Sequence, residues 1–263
     1  MSQRVCWPPL VALVSGLLVA PVRAQDPRPN VLLLAVDDLN DWVGALGGHP
    51  QAKTPNIDRL AARGTLFANA HCQAPVCSPS RASLMTGRLP STTGMYFLLP
   101  ALAGEPSLRD TVTLVQRFAE EGYATFGVGK VHHGDERPFF GDYGGAMGGF
   151  GPRPEDKLSY PVGHPLWDWG AYPEKDEHMP DRRVADWAAQ KLAEEHDGPF
   201  FLAAGFWRPH VPMYAPEPWF DLHPREEVLL PEVLAGDRDD LPDYAKALTI
   251  GLPAPRHEWL VEN

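Results

Sequence analysis

Three short, largely apolar runs, each followed closely by charged or imidazole side chains, constrain this chain more than any other feature. Val31 to Val36, Tyr123 to Val128 and Pro199 to Phe206 show no polar alternation. Such runs are read as strands buried on both faces of a parallel sheet. Parallel neighbours need crossover connections, usually helical, and helical patterns do stand between the runs. Thr54-Pro55 offers a cap residue and a proline at the first helical position, with Ile57, Leu60 and Ala61 as an apolar stripe and Gly64 as the stop. From about Thr111 to Glu121, Leu114, Val115, Phe118 and Ala119 share one face ahead of Gly122. Asp181 to His196 reads as an amphipathic helix through Val184, Trp187, Ala188 and Leu192. Thr65 to Ala70 is strand-like, and Pro79 after Ser78 predicts a helix running from Cys77 through Leu84 and Met85 toward Gly87. The expected fold is α/β, a mostly parallel sheet sandwiched by helices.

A chain of 263 residues can bury a large core, so one such domain, or most of a larger one, is expected. The net charge of −11 argues against nucleic acid or an anionic membrane surface as a partner. Arg4, the apolar stretch from Leu10 to Ala20 and the small residues of Val22-Arg23-Ala24 form the pattern of a secretory signal peptide over residues 1–24. The stretch falls well short of the ~20 apolar residues a spanning helix needs. The expected location is periplasmic or secreted, with residues 25–263 as the mature chain. Cys6 leaves with the signal, so Cys72 and Cys77 remain, for a small local disulfide or for chemistry at one of them. The residues around Cys77 favour chemistry.

Between Pro138 and Pro180 the pattern dissolves into glycine, proline and aromatics, read as a loop region folding over the site. Its Trp167, Trp169 and Tyr172 are candidates for stacking on sugar rings or for packing. From Tyr214 onward proline and acidic residues dominate, and Asp239-Asp240 reads as a solvated acidic loop.

In open α/β sheets, ligands bind at the carboxyl ends of strands. There the three runs deliver Asp37-Asp38, then Lys130 with His132 and His133, then His210, while Cys77 stands at a helix start. Adjacent carboxylates suit a hard divalent cation. Lysine, arginine and histidine suit a tetrahedral oxyanion, and a helix N-terminus adds to its binding. Taken singly, the aspartates read as a cap and turn, the cysteine as a small hydrophobe and the histidines as surface or loop residues. Their convergence at one sheet edge points to a site.

Cys77-Ser78-Pro79-Ser80-Arg81 with Leu84-Met85-Thr86-Gly87-Arg88 resembles the type I sulfatase signature C-x-P-S-R-x-x-x-L-T-G, with Met85 in place of the usual leucine. Val36-Asp37-Asp38-Leu39, Thr54 to Ala61, Gly129-Lys130-Val131 and Pro209-His210-Val211-Pro212 follow in that family's order. The first of these and the stretch from Gly205 to His210 resemble the iduronate-2-sulfatase branch most. The resemblance implies an alkaline phosphatase-like fold and hydrolysis of sulfate esters, on a sulfated saccharide. It implies that a maturation enzyme, reading Pro79 and Arg81, oxidises Cys77 to formylglycine. It also implies a calcium ion on Asp37, Asp38 and the side chain at position 77. Arg81, Lys130 and His210 would bind charge, and a histidine would handle the proton: His133 by the iduronate-2-sulfatase spacing, His132 by the arylsulfatase spacing. The family's second metal half-site and a further sulfate-binding lysine have no counterpart here, so the C-terminal part of the domain is expected to be missing. A phosphate or phosphonate ester hydrolase of the same superfamily and an inactive truncated remnant are the alternatives.

Overall fold

The computed structural model describes residues 28–250 except 136 and 233, together with 254–256 and 259–260. The expected signal peptide lies outside the described residues. In chain order the strands are β1 (Val31–Val36), β2 (Ala124–Gly129), β3 (Asp142–Tyr143), β4 (Trp169–Ala171), β5 (Phe200–Phe206) and β6 (Met213–Ala215). The helices are α1 (Pro55–Ala61), α2 (Cys77–Thr86), α3 (Pro90–Thr93), α4 (Leu114–Glu120), α5 (Pro180–Ala193), α6 (Glu217–Phe220) and α7 (Asp243–Ile250).

The main sheet has the order β1-β5-β2-β3 and is parallel throughout, as the apolar runs predict. Its centre is β5, where every residue from Phe200 to Gly205 is buried. On one face, Ala82 and Met85 of α2 and Val115 of α4 pack with Phe201 and Ala203. On the other, Val184 and Ala188 of α5 pack with Val128, Leu202 and Ala204. Each fully buried aliphatic of this kind contributes about 1.5–3 kcal/mol relative to exposure. That burial stabilises a parallel sheet whose pairings join residues far apart in sequence.

β1 departs from the expectation. Val31 and Leu33 turn toward the core, whereas Leu32, Leu34 and Val36 are 44%, 49% and 37% exposed. The reason is position: β1 is the outer strand, and α5 covers β2 and β5. α1 also differs, since none of its residues is buried, and Ile57 and Leu60 face outward. Thr54 does not cap it; its hydroxyl accepts from the Gly44 N–H and donates to Asp58. Residues 65–70 form no strand. Among the helices with clear signals, α4 starts at a capping box between Thr113 and Gln116. α2 starts at Cys77 and ends at Gly87, whose φ of 68° is the left-handed stop expected of glycine.

The 138–180 region carries more regular structure than its composition implies. β3 extends the main sheet, and β4 pairs with β6 in a second parallel sheet. Asp168, fully buried, accepts hydrogen bonds from the N–H groups of Leu158, Ser159 and Tyr160 and from the Tyr214 hydroxyl. One carboxylate thus ties the loop to the second sheet. Burial opposes its ionisation, but these donors outweigh it and hold the carboxyl below the usual value.

At the site, β2 and β5 approach at two glycines. Gly129 pairs with Gly205, and a Cβ on Gly205 would overlap the Lys130 carbonyl, while one on Gly129 would overlap the Gly205 oxygen. The small residues set the depth at which Lys130 leaves the sheet.

Candidate active site

The parallel register places Val36 beside Phe206 and Gly129 beside Gly205, so three strands end at one level. Asp37, Lys130 and the turn bearing His210 therefore start from a common edge. Asp37 and Lys130 are buried, each 4% exposed, and their side chains form an ion pair. Arg81, 6% exposed, reaches the same carboxylate from α2: its Nη2 donates to Asp37 Oδ1 at 2.8 Å. Arg81 Nη1 donates to the carbonyls of Lys130 and Val131, the latter at 3.1 Å. One guanidinium thereby links the Cys77 helix, β1 and the end of β2. Burial pushes the Asp37 carboxyl up, but the hydrogen bonds and charges of Lys130 and Arg81 prevail and hold it below its ordinary value.

Cys77 is the first residue of α2 and is half-buried. It lies four residues before Arg81, on the same helix face. No side chain caps this helix, because the preceding residue is Val76. Unlike a Ser or Asp cap, valine cannot accept from the first-turn N–H groups, so the end is suited to an anion. Cys72 is exposed, and both cysteines are free thiols, so the local disulfide is not formed.

Lys130 also faces the rings of Trp207 and Phe150, its Nζ 5.2 and 5.4 Å from their centroids. The same rings, with Gly129, His132 and His133, line a cavity of about 150 Å³. His132 is sunk in its wall, stacked on Phe139 at 4.3 Å between centroids and only 2% exposed. His133 is half-buried. His210 directs Nδ1 to the Val211 carbonyl at 2.6 Å, and its Nε2 lies 3.9 Å from Asp38 Oδ2. Asp38 is mostly exposed and has a φ of 58°, an uncommon conformation for a non-glycine residue.

The sequence-expected residues thus fall into two linked groups: Asp37 with Arg81 and Lys130, and Asp38 with His210. The expected metal ligands do not assemble, since no three His, Cys, Asp or Glu among the described residues are grouped to hold an ion. Both oxygens of Asp37 are engaged by cations instead. Phe150 was not singled out by sequence, and Trp207 entered only as part of the stretch from Gly205 to His210. Of the loop aromatics, Trp169 packs near Tyr160 and Trp259, and Tyr172 sets its edge to Tyr214. Both rings have packing partners and remain half-exposed.

A parallel sheet clad by helices on both faces, with cations and carboxylates gathered at its carboxyl edge, defines an α/β fold with a polar site at the strand ends. It aligns with the phosphonate monoester hydrolase of Agrobacterium radiobacter at a TM-score of 0.56 and 21% identity, over 74% of this chain and 44% of that one. It aligns with Ps i-CgsB, solved in complex with k-i-k-neocarrahexaose, at a TM-score of 0.53 and 28% identity, over 74% and 48%. Within that fold the chain belongs to the sulfatase family, whose model matches residues 29–245. A sulfatase of Formosa agariphila is 38% identical over 92% of this chain and 51% of its own length. Human iduronate 2-sulfatase is 36% identical over 79% of this chain and 40% of its own. The chain therefore spans about half the length of the curated relatives it matches.

Proposed function

We propose that this chain forms the nucleophile-bearing half of a sulfate ester hydrolase acting on a sulfated saccharide, exported to the periplasm or beyond. The observation that carries the reading is the placement of Cys77 at the uncapped start of α2, one turn from an arginine buried against Asp37 and Lys130. Oxidised to formylglycine by a maturation enzyme, position 77 would supply a hydrated aldehyde, one hydroxyl of which would displace the saccharide alcohol from sulfur, while loss of the proton from the other would restore the aldehyde and expel sulfate.

The chain's own residues fit that chemistry. The first turn of α2 favours negative charge through its dipole and N–H groups. Arg81, fixed by two carbonyls and Asp37, holds its donors in place without reorganisation. Lys130 presents a positive charge under two aromatic rings, where little water screens it. His210 stands at the rim beside Asp38 to neutralise sulfate, and His133, half-buried in the cavity wall, is the group assigned to the proton.

The reading also calls for calcium. Asp37 and Asp38 have the right donor chemistry, but Asp37 is committed to Arg81 and Lys130, and calcium takes about 6–8 oxygen ligands. The described residues do not form that site by themselves, and no step is assigned to the ion. The deciding experiment is mass spectrometry of the Cys77 peptide from chain co-expressed with a maturation enzyme, followed by turnover of aryl sulfate and aryl phosphate. An aldehyde-bearing peptide and preferred sulfate turnover are expected. An unmodified thiol, or preferred phosphate turnover, defeats the proposal.

A further inference from the structure

We infer that Asp181 is a positioning residue that sets both the Lys130 pocket and His210 by clamping the turn after β5. This deepens the sulfatase reading and rests on it for its catalytic consequence. Asp181 is in the first turn of α5, on the sheet face opposite α2. Its Oδ1 accepts the Trp207 N–H at 2.8 Å, and its Oδ2 accepts the Arg208 N–H at 2.9 Å. Two consecutive backbone donors thus close on one carboxylate, as an anion sits in a turn of N–H groups.

What the clamp holds is the site. Trp207 carries the ring that faces Lys130, and its carbonyl accepts the His210 N–H at 3.1 Å. The Arg208 guanidinium donates to the Phe150 carbonyl at 2.7 Å, fixing the second ring over Lys130. Its other nitrogens lie 3.4 Å from the carbonyls of Tyr214 and His210. Asp181 touches neither Lys130 nor His210 by hydrogen bond, yet every backbone link from α5 to their neighbours passes through its two oxygens among the bonds described. Burial pushes its carboxyl above the ordinary value despite both donors.

The geometry predicts the effect of substitution. Asp181→Asn is isosteric but sets an amide donor against one of the two N–H groups, so one bond is lost and the turn loosens. Small misplacements near reacting groups lower rate by up to about 100-fold. For formylglycine-containing chain, kcat on an aryl sulfate is expected to fall about 10- to 100-fold with KM nearly unchanged, the pattern of lost transition-state alignment.

The test uses the full chain labelled with nitrogen-15. Ring signals of His210 and the indole signal of Trp207, assigned through His210→Gln and Trp207→Phe, are compared in wild type, Asp181→Asn and Val184→Ala. Val184 lies in the same helix, wholly buried in the core beside Gly129, so its truncation loosens the packing under the site while leaving both Asp181 bonds to the turn in place. Shifted or broadened His210 and Trp207 signals in Asp181→Asn alone support the proposal. Unchanged signals, or equal changes in Val184→Ala, overturn it. Asp181→Glu keeps the charge on a longer arm and replaces the asparagine variant if that one does not fold; it too must move both signals. If the wild type turns over no sulfate ester, the sulfatase reading fails, and the magnetic resonance comparison still decides the role of Asp181.

Discussion

Replacing Asp37 by asparagine removes a carboxylate that two buried cations share. Arg81 and Lys130 have side chains 8% and 4% exposed, and each pairs with a separate oxygen of Asp37. Removing one partner of a buried ion pair costs about 3–5 kcal/mol, because the remaining charge is stranded. Arg81 keeps its bonds to the carbonyls of Lys130 and Val131, so the stranded charge is chiefly that of Lys130. Asp37→Asn alone should therefore lower unfolding free energy by about 3–5 kcal/mol. Lys130→Met alone should cost less, since Asp37 keeps Arg81. The double variant should recover part of the loss, giving a coupling of about 0.5–3 kcal/mol in a double-mutant cycle. Urea denaturation followed by tryptophan fluorescence supplies all four corners. Additivity of the two substitutions, or an Asp37→Asn variant within about 1 kcal/mol of wild type, would show that the triad carries no such energy.

Gly205→Ala forces a methyl onto the Lys130 carbonyl and the Val131 nitrogen, backbone atoms that no side-chain rotation can move aside; a loss of about 1–3 kcal/mol is expected by the same urea assay. A soluble variant of near wild-type stability would refute the packing argument. Asp168 titrates below the ordinary carboxylate value when folded, so its stabilisation is present above the unfolded value near 3.9 and lost as the pH falls through the lower folded value. The urea midpoint of the wild type should thus fall more steeply below about pH 4 than that of Asp168→Asn, and parallel curves would sink the assignment. Cys77→Ala should abolish aldehyde formation and turnover, whereas Cys72→Ala, at an exposed free thiol, should leave both unchanged; equal losses would implicate Cys72 in the site.

The central part of the fold was legible because burial leaves a compositional mark. β5, covered on both faces, has no reason to alternate, and Phe200 to Phe206 does not. α2 was legible from Pro79 and Gly87, residues with restricted or permissive backbones at opposite helix ends. β1 was misread for the same reason that β5 was read correctly: an apolar run records which surfaces prefer cover, not which neighbours the described residues supply. α1 shows an apolar stripe that nothing described here covers. The site was legible as strand ends, since Asp37, Lys130 and His210 follow apolar runs. Its supports were not. Asp181 looks in sequence like any acidic residue in a first helical turn, and Asp168 like any loop aspartate. Their roles come from backbone donors brought by distant segments, which local patterns do not encode. The rings over Lys130 likewise come from separate segments at Phe150 and Trp207.

The burial of the Cys77 helix imposes an order of events. Ser78, Pro79 and Arg81 all lie inside the folded protein. An enzyme that must grip Pro79 and Arg81 to oxidise Cys77 has no purchase once α2 is packed. The groups that pack it, the carbonyls of Lys130 and Val131 and the β5 residues Phe201 and Ala203, leave the ribosome after Cys77 does. On the formylglycine proposal, maturation has to precede the packing of α2 against β5, and completion of the sheet ends the opportunity.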